Sequence, residues 1–542
     1  MLATLLSATL IGLDGRVIQV EVDVAGGLPG FTIVGLADTA LQEARERVRG
    51  AIRNAGFNFP PRRISVNLAP AEQRKAGASL DLAIALGILL GSEQVRAGPG
   101  RIALIGELSL GGEVRPVPGV LPMAAALARR GLRRIVVPAS AAAEASLVEG
   151  IEVIGVATLS EAATIVRRRP SRRTAVTPPR VDLVVDSSIG SASAESSGAA
   201  VDGTAGEGGR LVGPEGGVRH SAGPDLAEVR GQLEARRALE IGLAGGHGLL
   251  LVGPPGSGKT LLARTIAGLL PPLGDREALA ATVVASAAGD GPVLELIRRA
   301  PVRAPHHTLS YAAMVGGGPR LSPGEVTRAN HGVLFLDELP EFSRDVLEAL
   351  RQPLEDGYVA IARAGRATTF PAEFQLVAAM NPCPCGFAGT EDGGCRCTPG
   401  TPERYTGRVS GPFRDRIDLW VTMPKVRPAA LVAGPEPEGS AVVAERIAKA
   451  RQIQRRRNGG RLNGRMSGRS LRNVCGLAAA TTRRAIELAE VEGLSGRGTE
   501  RLLRVARTIA DLAGRRIVMA DDLEEAARYR SPVATLAIRE AS

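Results

Sequence analysis

The chain has 542 residues, of which 44% are hydrophobic and 3% aromatic, and its formal net charge is +11 at pH 7. This length exceeds what one hydrophobic core usually supports, so we expect about two to four domains, and the apolar content excludes wholesale disorder. Most of the 67 basic residues are arginine. Codon bias explains this excess as readily as a polyanionic partner does, so the charge alone identifies no partner.

The N-terminal segment MLATLLSATLIGLDGR has no basic leader, and polar residues interrupt its apolar stretches. The sequence therefore predicts no secretory signal. No stretch of the chain approaches the apolar length that spans a bilayer. We expect a cytoplasmic protein without membrane attachment. The five cysteines are too few for a disulfide framework in a chain of this length.

Residues 1–168 alternate short strand and helix patterns, which predicts one α/β domain. The segment RVIQVEVDV (16–24) alternates as a half-buried strand does, and Asp38 is a candidate N-cap for the next helix. RRISVNL and RRIVVP predict further strands, and LDLAIALGILLG predicts a buried helix. ELSLGGEVRPV predicts a hairpin that turns at Gly111 and Gly112.

Residues 169–222 are rich in Ser, Gly, Ala and Pro. Such a segment cannot bury enough apolar surface to offset the entropy lost on ordering it, so we predict a flexible linker. Within it, VDLVV (181–185) is at most a stray strand. Folded sequence resumes at 225–246, where DLAEVRGQLEARRALEIGLAGG predicts one helix that runs up to the strand LLLVG.

The segment GPPGSGKT fits the phosphate-binding loop pattern, and it lies between that strand and the helix TLLARTIAGLL. Its glycines let backbone N–H groups surround phosphate oxygens, Lys259 reaches the β and γ phosphates of ATP, and Thr260 ligates Mg²⁺. The predicted nucleotide-binding residues of the loop are Gly253, Pro254, Pro255, Gly256, Ser257, Gly258, Lys259 and Thr260.

Two further predicted strands end in polar residues that suit phosphate chemistry. GVLFLDEL leads to Asp337, which can hold the Mg²⁺ shell, and to Glu338, which is placed to polarise the attacking water. The alternative is a solvated acidic loop after a core strand. FQLVAAMN ends in Asn381, whose amide can orient the same water.

Two arginine-bearing segments follow. SGPFRDRIDLWV supplies Arg414 and Arg416. An arginine from a neighbouring subunit can stabilise the charge on a γ-phosphate, and this arrangement requires an oligomer. The helical pattern LSGRGTERLLRVARTIADLAG could place Arg497, or else Arg504, over the phosphates from a lid. The alternative is that these are ordinary surface arginines.

Together with RAPHHTLSYAAMVGGG, PGEVTRANHGVLFLDELPEF and MNPCPCG, these motifs resemble the AAA+ ATPases related to the magnesium chelatase ATPase subunit. GLPGFTIVGLADTALQEARERVRGAIRNAGFNFPPRRISVNLAPA narrows the resemblance to the ComM (YifB) family, over nearly the whole chain except the linker. The resemblance implies a P-loop AAA+ core with a helix-2 insert at 223–424 and a C-terminal helical lid at 425–542. It also implies that 1–168 form a separate Lon-protease-like (ribosomal S5 domain 2-like) α/β domain.

Members of this family are associated with natural transformation and act as ATP-driven DNA helicases that promote branch migration. On that pattern Asp337 and Glu338 are the Walker B carboxylates, Asn381 is sensor 1, Arg416 is the arginine finger and Arg497 is sensor 2. The implied ligands are ATP and Mg²⁺. The implied partners are branched or single-stranded DNA, bound without sequence preference, and copies of the chain in a hexameric ring. One alternative is remodelling of a protein partner, as magnesium chelatase's ATPase subunit does.

The other alternative is an ATP-dependent peptidase that uses Ser79. This serine lies in the K-x-G-x-S context of the proteolytic relatives, as the last residue of Lys75-Ala76-Gly77-Ala78-Ser79. A serine is nucleophilic only beside a base, and the position of the relatives' catalytic lysine falls on Pro122. All five histidines lie outside this domain. We therefore predict that Ser79 is a helix N-cap or a packing residue.

Two insertions are candidates for contact with DNA in a ring pore. RAPHHTLSYAAMVGGGPRLSPGE (303–325) is expected to interrupt a helix between the phosphate loop and Walker B. DGYVAIARAGRATTFPAEF (356–374) predicts a hairpin that turns near Ala364 and Gly365. The flanking Arg363 and Arg366 could track a phosphate backbone without reading bases, or they could be merely solvated.

Residues 442–480 form the strongest charge run, with ten basic side chains against the single acidic Glu445. These side chains could neutralise several DNA phosphates, or they could form a basic lid surface, and both interpretations stay open. The ten are Arg446, Lys449, Arg451, Arg455, Arg456, Arg457, Arg461, Arg465, Arg469 and Arg472.

Four of the five cysteines follow Asn381 in the pattern C-x-C-x₉-C-x-C. Cys383, Cys385, Cys395 and Cys397 could bind Zn²⁺ tetrahedrally and stiffen this Gly-rich loop. The alternative is a loop of reduced thiols. Cys475 is isolated, and we interpret it as a core residue.

Overall fold

The structure is a computed structural model. It describes residues 1–34, 39–70, 78–98, 100–167, 223–318, 321–363, 366–389 and 394–530. Several sequence predictions lie outside these residues: the Asp38 cap, Lys75, the linker with its VDLVV segment, and the Ala364–Gly365 turn.

The N-terminal domain contains a mixed seven-stranded sheet in the order β3-β4-β2-β1-β5-β8-β9, and β6 and β7 form a separate hairpin. Its strands are β1 (Leu2–Ile11), β2 (Asp14–Ala25), β3 (Gly30–Val34), β4 (Arg63–Ala69), β5 (Ala103–Leu104), β6 (Glu107–Leu108), β7 (Val114–Arg115), β8 (Arg134–Pro138) and β9 (Glu152–Val156). Its helices are α1 (Thr39–Asn54), α2 (Asp81–Gly91), α3 (Val120–Arg129), α4 (Ala142–Ala145) and α5 (Leu159–Arg167).

The residue patterns explain these elements. Strand β2 buries Ile18, Val20 and Val22 on one face, because successive side chains of a strand point to opposite sides. Strand β2 pairs antiparallel with both β1 and β4. Helix α2 is apolar almost all round, and every one of its residues is buried. A helix of that composition requires a position inside the domain.

The structure describes the expected ATPase core from residue 223 onward. Its strands are β10 (Leu249–Val252), β11 (Val302–Arg303), β12 (Gly316–Gly317), β13 (Ser322–Pro323), β14 (Val333–Leu336), β15 (Tyr358–Arg363), β16 (Arg366–Pro371), β17 (Gln375–Met380) and β18 (Leu419–Thr422). Its helices are α6 (Leu233–Gly245), α7 (Lys259–Arg264), α8 (Ile266–Leu269), α9 (Asp275–Ala288), α10 (Tyr311–Val315), α11 (Glu325–Arg328), α12 (Arg344–Ala349), α13 (Arg351–Asp356), α14 (Thr401–Thr406) and α15 (Gly411–Arg414).

Five of these strands form a parallel sheet in the order β11-β14-β17-β10-β18. Strands β10, β14 and β17 are buried at every position, as is typical of a parallel sheet covered on both faces. This mixed α/β arrangement fits the core of a P-loop ATPase. The carboxyl ends of parallel strands meet at one edge of a sheet, which is where ligands bind in such folds.

The C-terminal region is helical where it is described. Its helices are α16 (Pro428–Val432), α17 (Ser440–Arg457), α18 (Gly468–Cys475), α19 (Ala479–Val491), α20 (Gly496–Leu512) and α21 (Ala520–Arg528). Helices α17 and α20 pack against α6 of the ATPase core. Ile447 and Leu502 lie in the same apolar cluster as Leu239 of α6, so these helices and the core share one hydrophobic interior.

One prediction about local structure is wrong. Residues 225–246 do not form one helix, because a short 3₁₀ turn at Leu226–Glu228 is separated from α6. Asp225 caps that turn, and the Arg236 guanidinium binds the main-chain oxygens of Leu226 and Val229, so these carbonyls are satisfied outside a helix. The insertion at 303–325 begins at strand β11, and its β12–β13 hairpin separates helix α10 from helix α11.

The two domains are joined by hydrogen bonds from Ser286 of α9 to Glu144 of α4 and to Gly119, which precedes α3. Ser286 Oγ donates to Glu144 Oε1 at 2.6 Å, and the same oxygen accepts the N–H of Leu121 at 2.8 Å. The N–H of Gly119 donates to the main-chain oxygen of Ser286 at 2.8 Å. Burial raises the pKa of Glu144, and the hydrogen bonds from Ser286 and Leu121 oppose the rise.

Among the described residues, no helix combines the length and apolarity needed to cross a membrane.

Candidate functional site

The polar residues predicted for phosphate chemistry lie at the ends of three neighbouring strands. The phosphate loop follows β10, Asp337 follows β14, and Asn381 follows β17. Because β17 lies between β10 and β14 in the parallel sheet, all three ends share one edge. The structure therefore brings these groups together, although they are far apart in sequence.

Lys259 begins helix α7 and is buried inside its own loop. Its Nζ donates to the main-chain oxygens of Gly253 at 2.7 Å and Pro254 at 2.9 Å, and to Oδ1 of Asn381 at 3.2 Å. Burial lowers the pKa of Lys259, while the nearby carboxylates of Asp337 and Glu338 act in the opposite direction. An ammonium held on neutral oxygens can exchange them for anionic phosphate oxygens.

The phosphate loop also fits a nucleotide through its backbone. Gly256 has φ of +77° and Gly258 has φ of +93°, a left-handed conformation that glycine adopts at little steric cost. In the described part of the chain, no atom beyond Gly256 and its two chain neighbours lies within 4 Å of the position where a Cβ on Gly256 would be. Such loops direct consecutive N–H groups at an anion.

Thr260 and Asp337 supply the oxygen ligands that Mg²⁺ prefers. Thr260 Oγ1 donates to Asp337 Oδ2 at 2.7 Å, so the two groups already share one position. The hydroxyl and the carboxylate are the protein ligands that a phosphate loop and a Walker B strand offer to the ion. The residues present therefore fit ATP with Mg²⁺.

Glu338 is exposed and has φ of +52°, an unusual backbone conformation for a residue with a side chain. Its N–H donates to Asp337 Oδ1 at 3.0 Å. This turn separates the two carboxylates, since Asp337 faces Thr260 while Glu338 points elsewhere. Backbone strain of this kind is common where a catalytic group must be aimed.

Sequence reasoning missed a neighbour of Glu338. His307 Nδ1 lies 3.3 Å from Glu338 Oε2, and the His307 ring stacks on His306 with centroids 4.1 Å apart. His307 belongs to the first insertion, between β11 and α10. The only sequence signal was the pair of histidines in RAPHHTLS, which carried no assigned role.

The candidate arginines lie away from the phosphate loop of their own chain in their described contacts. Arg416 binds the main-chain oxygen of Pro412 and the carboxylate of Glu355. Arg497 Nη1 lies 3.9 Å from the same Glu355 carboxylate, and its side chain is 77% exposed. Arg504 pairs instead with Glu500 at 3.5 Å. Arg416 and Arg497 thus converge on one carboxylate, and Arg504 does not join them.

The two insertions contact each other. A Cβ on Gly316, in the first insertion, would lie 3.2 Å from Cδ1 of Ile361 in β15. Strands β15 and β16 form the predicted hairpin, with Arg363 opposite Arg366 at the end of the ladder. The side chains of these two arginines are outside the described part of the chain.

Six of the ten basic side chains at 442–480 are engaged within the chain. Arg446 pairs with Glu240 and Glu438, Lys449 with Glu445, Arg455 with Glu277, and Arg457 with Asp511. Arg451 and Arg465 donate to the main-chain oxygens of Leu243 and Leu354. These contacts favour a structural role for the six. The remaining four, Arg456, Arg461, Arg469 and Arg472, are exposed.

The four clustered thiols, which we call the cysteine cluster (Cys383, Cys385, Cys395 and Cys397), have their Sγ atoms within 4.8 Å of one another. This arrangement could hold a metal ion. Cys475 is buried elsewhere, with its Sγ 3.7 Å from the main-chain oxygen of Leu503. The interpretation of Cys475 as a core residue agrees with this position.

Ser79 is buried and is not a helix N-cap, so that part of the prediction is wrong. It lies in a 3₁₀ turn before α2, whose N-cap is Leu80. Its Oγ donates to the main-chain oxygen of Ala8 in β1 at 2.9 Å. In the described part of the N-terminal domain, no lysine or histidine is present to act as its base.

Three family models cover most of the folded chain. Residues 225–431 match magnesium chelatase, subunit ChlI. Residues 20–141 match subunit ChlI of Mg-chelatase, and residues 437–530 match the magnesium chelatase subunit ChlI C-terminal region. The matches leave out the predicted linker.

Full-length relatives decide the family. Competence protein ComM of Haemophilus influenzae is 38% identical over 538 residues, which is 99% of this chain and 98% of that protein. The chain belongs to the ComM/YifB family of magnesium-chelatase-like AAA+ ATPases. YifB of Escherichia coli is 39% identical over 96% of this chain and 95% of its own. A Mycobacterium tuberculosis protein is 42% identical over 97% of both chains. Membership in this family implies ATPase activity and confirms the resemblance drawn from the motifs.

Proposed function

We propose that this member of the family is a ring-forming DNA motor, which uses ATP hydrolysis to drive branch migration during recombination or natural transformation. The observation that carries the proposal is a chain of contacts from the catalytic edge to the arginine hairpin. Glu338 contacts His307 of the first insertion, and the same insertion packs through Gly316 on Ile361 of β15. Strand β15 ends at Arg363.

Each residue of the nucleotide site has a proposed task in hydrolysis. Lys259 binds the β and γ phosphates, Thr260 and Asp337 hold Mg²⁺, and Asn381 orients the attacking water. Glu338 accepts a proton from that water. The bound metal supplies charge neutralisation as the phosphoryl group transfers.

The proposed assembly is a hexamer in which each ATP lies at a boundary between subunits. Arg416 is the finger that reaches the neighbour's γ-phosphate, and Arg497 accompanies it as sensor 2. The shared carboxylate of Glu355 supports delivering both arginines together. On this proposal the arginines exchange Glu355 for phosphate when the ring forms, because a phosphate carries more charge than a carboxylate.

The proposed partner is branched or single-stranded DNA, contacted by Arg363 and Arg366 through its phosphates. Phosphate contacts carry no base information, so the binding is independent of sequence. The word competence in the name of the Haemophilus influenzae relative supports a role with DNA. The family-model matches to magnesium chelatase keep a protein partner as the second candidate.

A labelled four-way DNA junction tests this function. We expect the wild-type chain with ATP and Mg²⁺ to convert the junction into its displaced arms, and an Arg363→Ala/Arg366→Ala variant to lose this conversion. Its ATP hydrolysis without DNA should be unchanged. The matched control, Arg456→Ala/Arg461→Ala, removes two exposed arginines of the basic run and should keep most of the conversion. If the wild-type chain leaves the junction intact, the hypothesis of a DNA motor is rejected and the hypothesis of a protein partner is favoured.

A further inference from the structure

The loop after Asn381 joins the cysteine cluster directly to the nucleotide site. Asn381 Oδ1 accepts a hydrogen bond from Lys259 at 3.2 Å, and Cys383 follows two residues later. The loop then turns back onto the phosphate loop at Gly386, which is buried. A Cβ on Gly386 would overlap Cδ of Pro255, so the backbone of this loop lies against the phosphate loop.

The sulfur positions match a single tetrahedral ion. Cys383 Sγ lies 3.3 Å from Cys385 Sγ and 3.9 Å from Cys395 Sγ, and Cys385 Sγ lies 3.6 Å from Cys395 Sγ. A tetrahedron with Zn–S bonds of about 2.3 Å has sulfur–sulfur edges of about 3.8 Å. Four thiols in this arrangement are typical of a closed structural zinc site, because no position is left for a reacting molecule.

A backbone N–H group beside the sulfurs strengthens the match. The N–H of Ala388 donates to Cys383 Sγ at 3.3 Å. A donor of this kind fixes the orientation of the sulfur that would bind the metal.

We propose that the cysteine cluster binds one Zn²⁺ and that this ion holds Gly386 against Pro255, so that zinc loading sets the affinity of the phosphate loop for ATP. The four ligands lie in two pairs, Cys383 with Cys385 and Cys395 with Cys397, and one ion joins the two pairs. The ion thereby fixes Gly386 against Pro255 of the phosphate loop. It also restrains Asn381, which lies two residues before Cys383. The coupling to ATP rests on the proposed nucleotide site, whereas zinc binding does not.

Metal analysis of the purified full-length chain tests the site first. We expect about one zinc per chain for the wild type, as a closed four-ligand site requires. The Cys385→Ser/Cys395→Ser variant should lose this zinc, and Cys475→Ser should keep it, because Cys475 is a buried thiol outside the cluster. A reduced wild-type chain that neither contains zinc nor takes it up in a titration would overturn the site, as would iron in its place.

Affinity for a fluorescent ATP analogue tests the coupling. Wild-type protein stripped of zinc should bind the analogue about two- to thirtyfold more weakly, the range expected for coupling through packed contacts, and returned Zn²⁺ should restore the affinity. Restoration keeps the test valid even if the serine variant fails to fold. Equal affinity with and without zinc would overturn the coupling. Neither measurement contains DNA, so a chain that binds zinc but no DNA would remove only the motor proposal.

Discussion

The ATPase core and the N-terminal domain each bury one polar side chain just before or at the start of a helix, and the two side chains have different surroundings. Lys259 lies where three parallel strands end, beside Asn381 and the Thr260–Asp337 pair. Ser79 lies against the middle of β1, where its hydroxyl is bound to a main-chain oxygen. The comparison shows that burial alone does not create a catalytic site. A catalytic site also requires several functional groups to meet, as they do at the edge of the parallel sheet.

The nearest carboxylate to Ser79 along the chain strengthens this contrast. Asp81 is fully buried and is bound by Arg47 Nε at 2.9 Å. Burial raises the pKa of Asp81 to about 6, although the hydrogen bond from Arg47 acts against the rise. The partner of Asp81 is therefore the Arg47 guanidinium of the same domain, and not Ser79. In the ATPase core, by contrast, Lys259 and the groups beside it lie where phosphate oxygens and Mg²⁺ would bind.

Replacing Lys259 should have the largest effect. Lys259→Ala removes the ammonium that lies on the main-chain oxygens of the phosphate loop, and we expect ATP binding to fall below detection in a fluorescent-analogue titration. Hydrolysis should drop by at least about 10²-fold, the usual cost of losing one preorganised charge at a reacting group. Lys449→Ala is the control, since Lys449 pairs with Glu445 on an exposed surface. Normal ATP binding by Lys259→Ala would contradict the site.

Arg416→Ala should have the second-largest effect on activity. A finger supplied by a neighbouring subunit is worth about 10³–10⁵ in kcat, so hydrolysis should nearly vanish while ATP binding and folding remain. Mixing this variant with Lys259→Ala should restore part of the activity, because intact phosphate loops then face intact arginines. Absence of any restoration, or full activity of Arg416→Ala alone, would contradict a finger in trans.

Glu338→Gln should keep ATP binding and slow hydrolysis. Loss of a general base costs about 10²–10⁴ in rate, so the variant should retain bound ATP after gel filtration. Glu341→Gln is the matched control, because Glu341 lies three residues after Glu338 and its carboxylate pairs with Arg408. Wild-type turnover by Glu338→Gln would reject Glu338 as the base.

A smaller effect is expected at His307, which connects the base to the insertions. His307→Ala should weaken the stimulation of hydrolysis by DNA by about two- to thirtyfold, the range for coupling through one contact. Hydrolysis without DNA should change less. His331→Asn provides the control, since the His331 ring lies 3.7 Å from the Glu373 carboxylate and asparagine tolerates the positive φ of this position. Equal stimulation in all three proteins would remove His307 from the coupling.

Ser79→Ala should have the smallest effect on activity. It removes one hydrogen bond to Ala8, which should cost about 1 kcal/mol in the free energy of unfolding, and it should leave hydrolysis and junction conversion unchanged. Denaturant unfolding and the ATPase assay measure the two quantities. Labelling of wild-type Ser79 by an active-site serine probe would contradict this and revive the peptidase alternative.

Local motifs explain what the sequence could predict. GPPGSGKT and the carboxylates after GVLFL need only a strand and the turn that follows it, so both could be assigned from neighbouring residues. The family could be assigned for the same reason, because its motifs are short and distinctive. The strand patterns of 16–24 and the helix of 81–91 are likewise set by residue spacing.

What the sequence could not predict depends on contacts between distant segments. His307 meets Glu338 only because the first insertion folds back over the strand edge. The convergence of Arg416 and Arg497 on Glu355 involves three separate helices or turns. Counting charges at 442–480 could not reveal that six of the ten already have partners. The predicted helix at 225–246 failed because Arg236 binds carbonyls of the preceding turn.

The ATP hydrolysis rate with and without single-stranded, duplex and four-way DNA, measured across a salt series, tests the central claim most directly. A motor that grips DNA through phosphates should hydrolyse ATP faster with DNA, most with the four-way junction, and the stimulation should fall steeply as salt rises. Lys259→Ala gives the background. An unchanged rate in the presence of every DNA, at every salt concentration, would contradict the account.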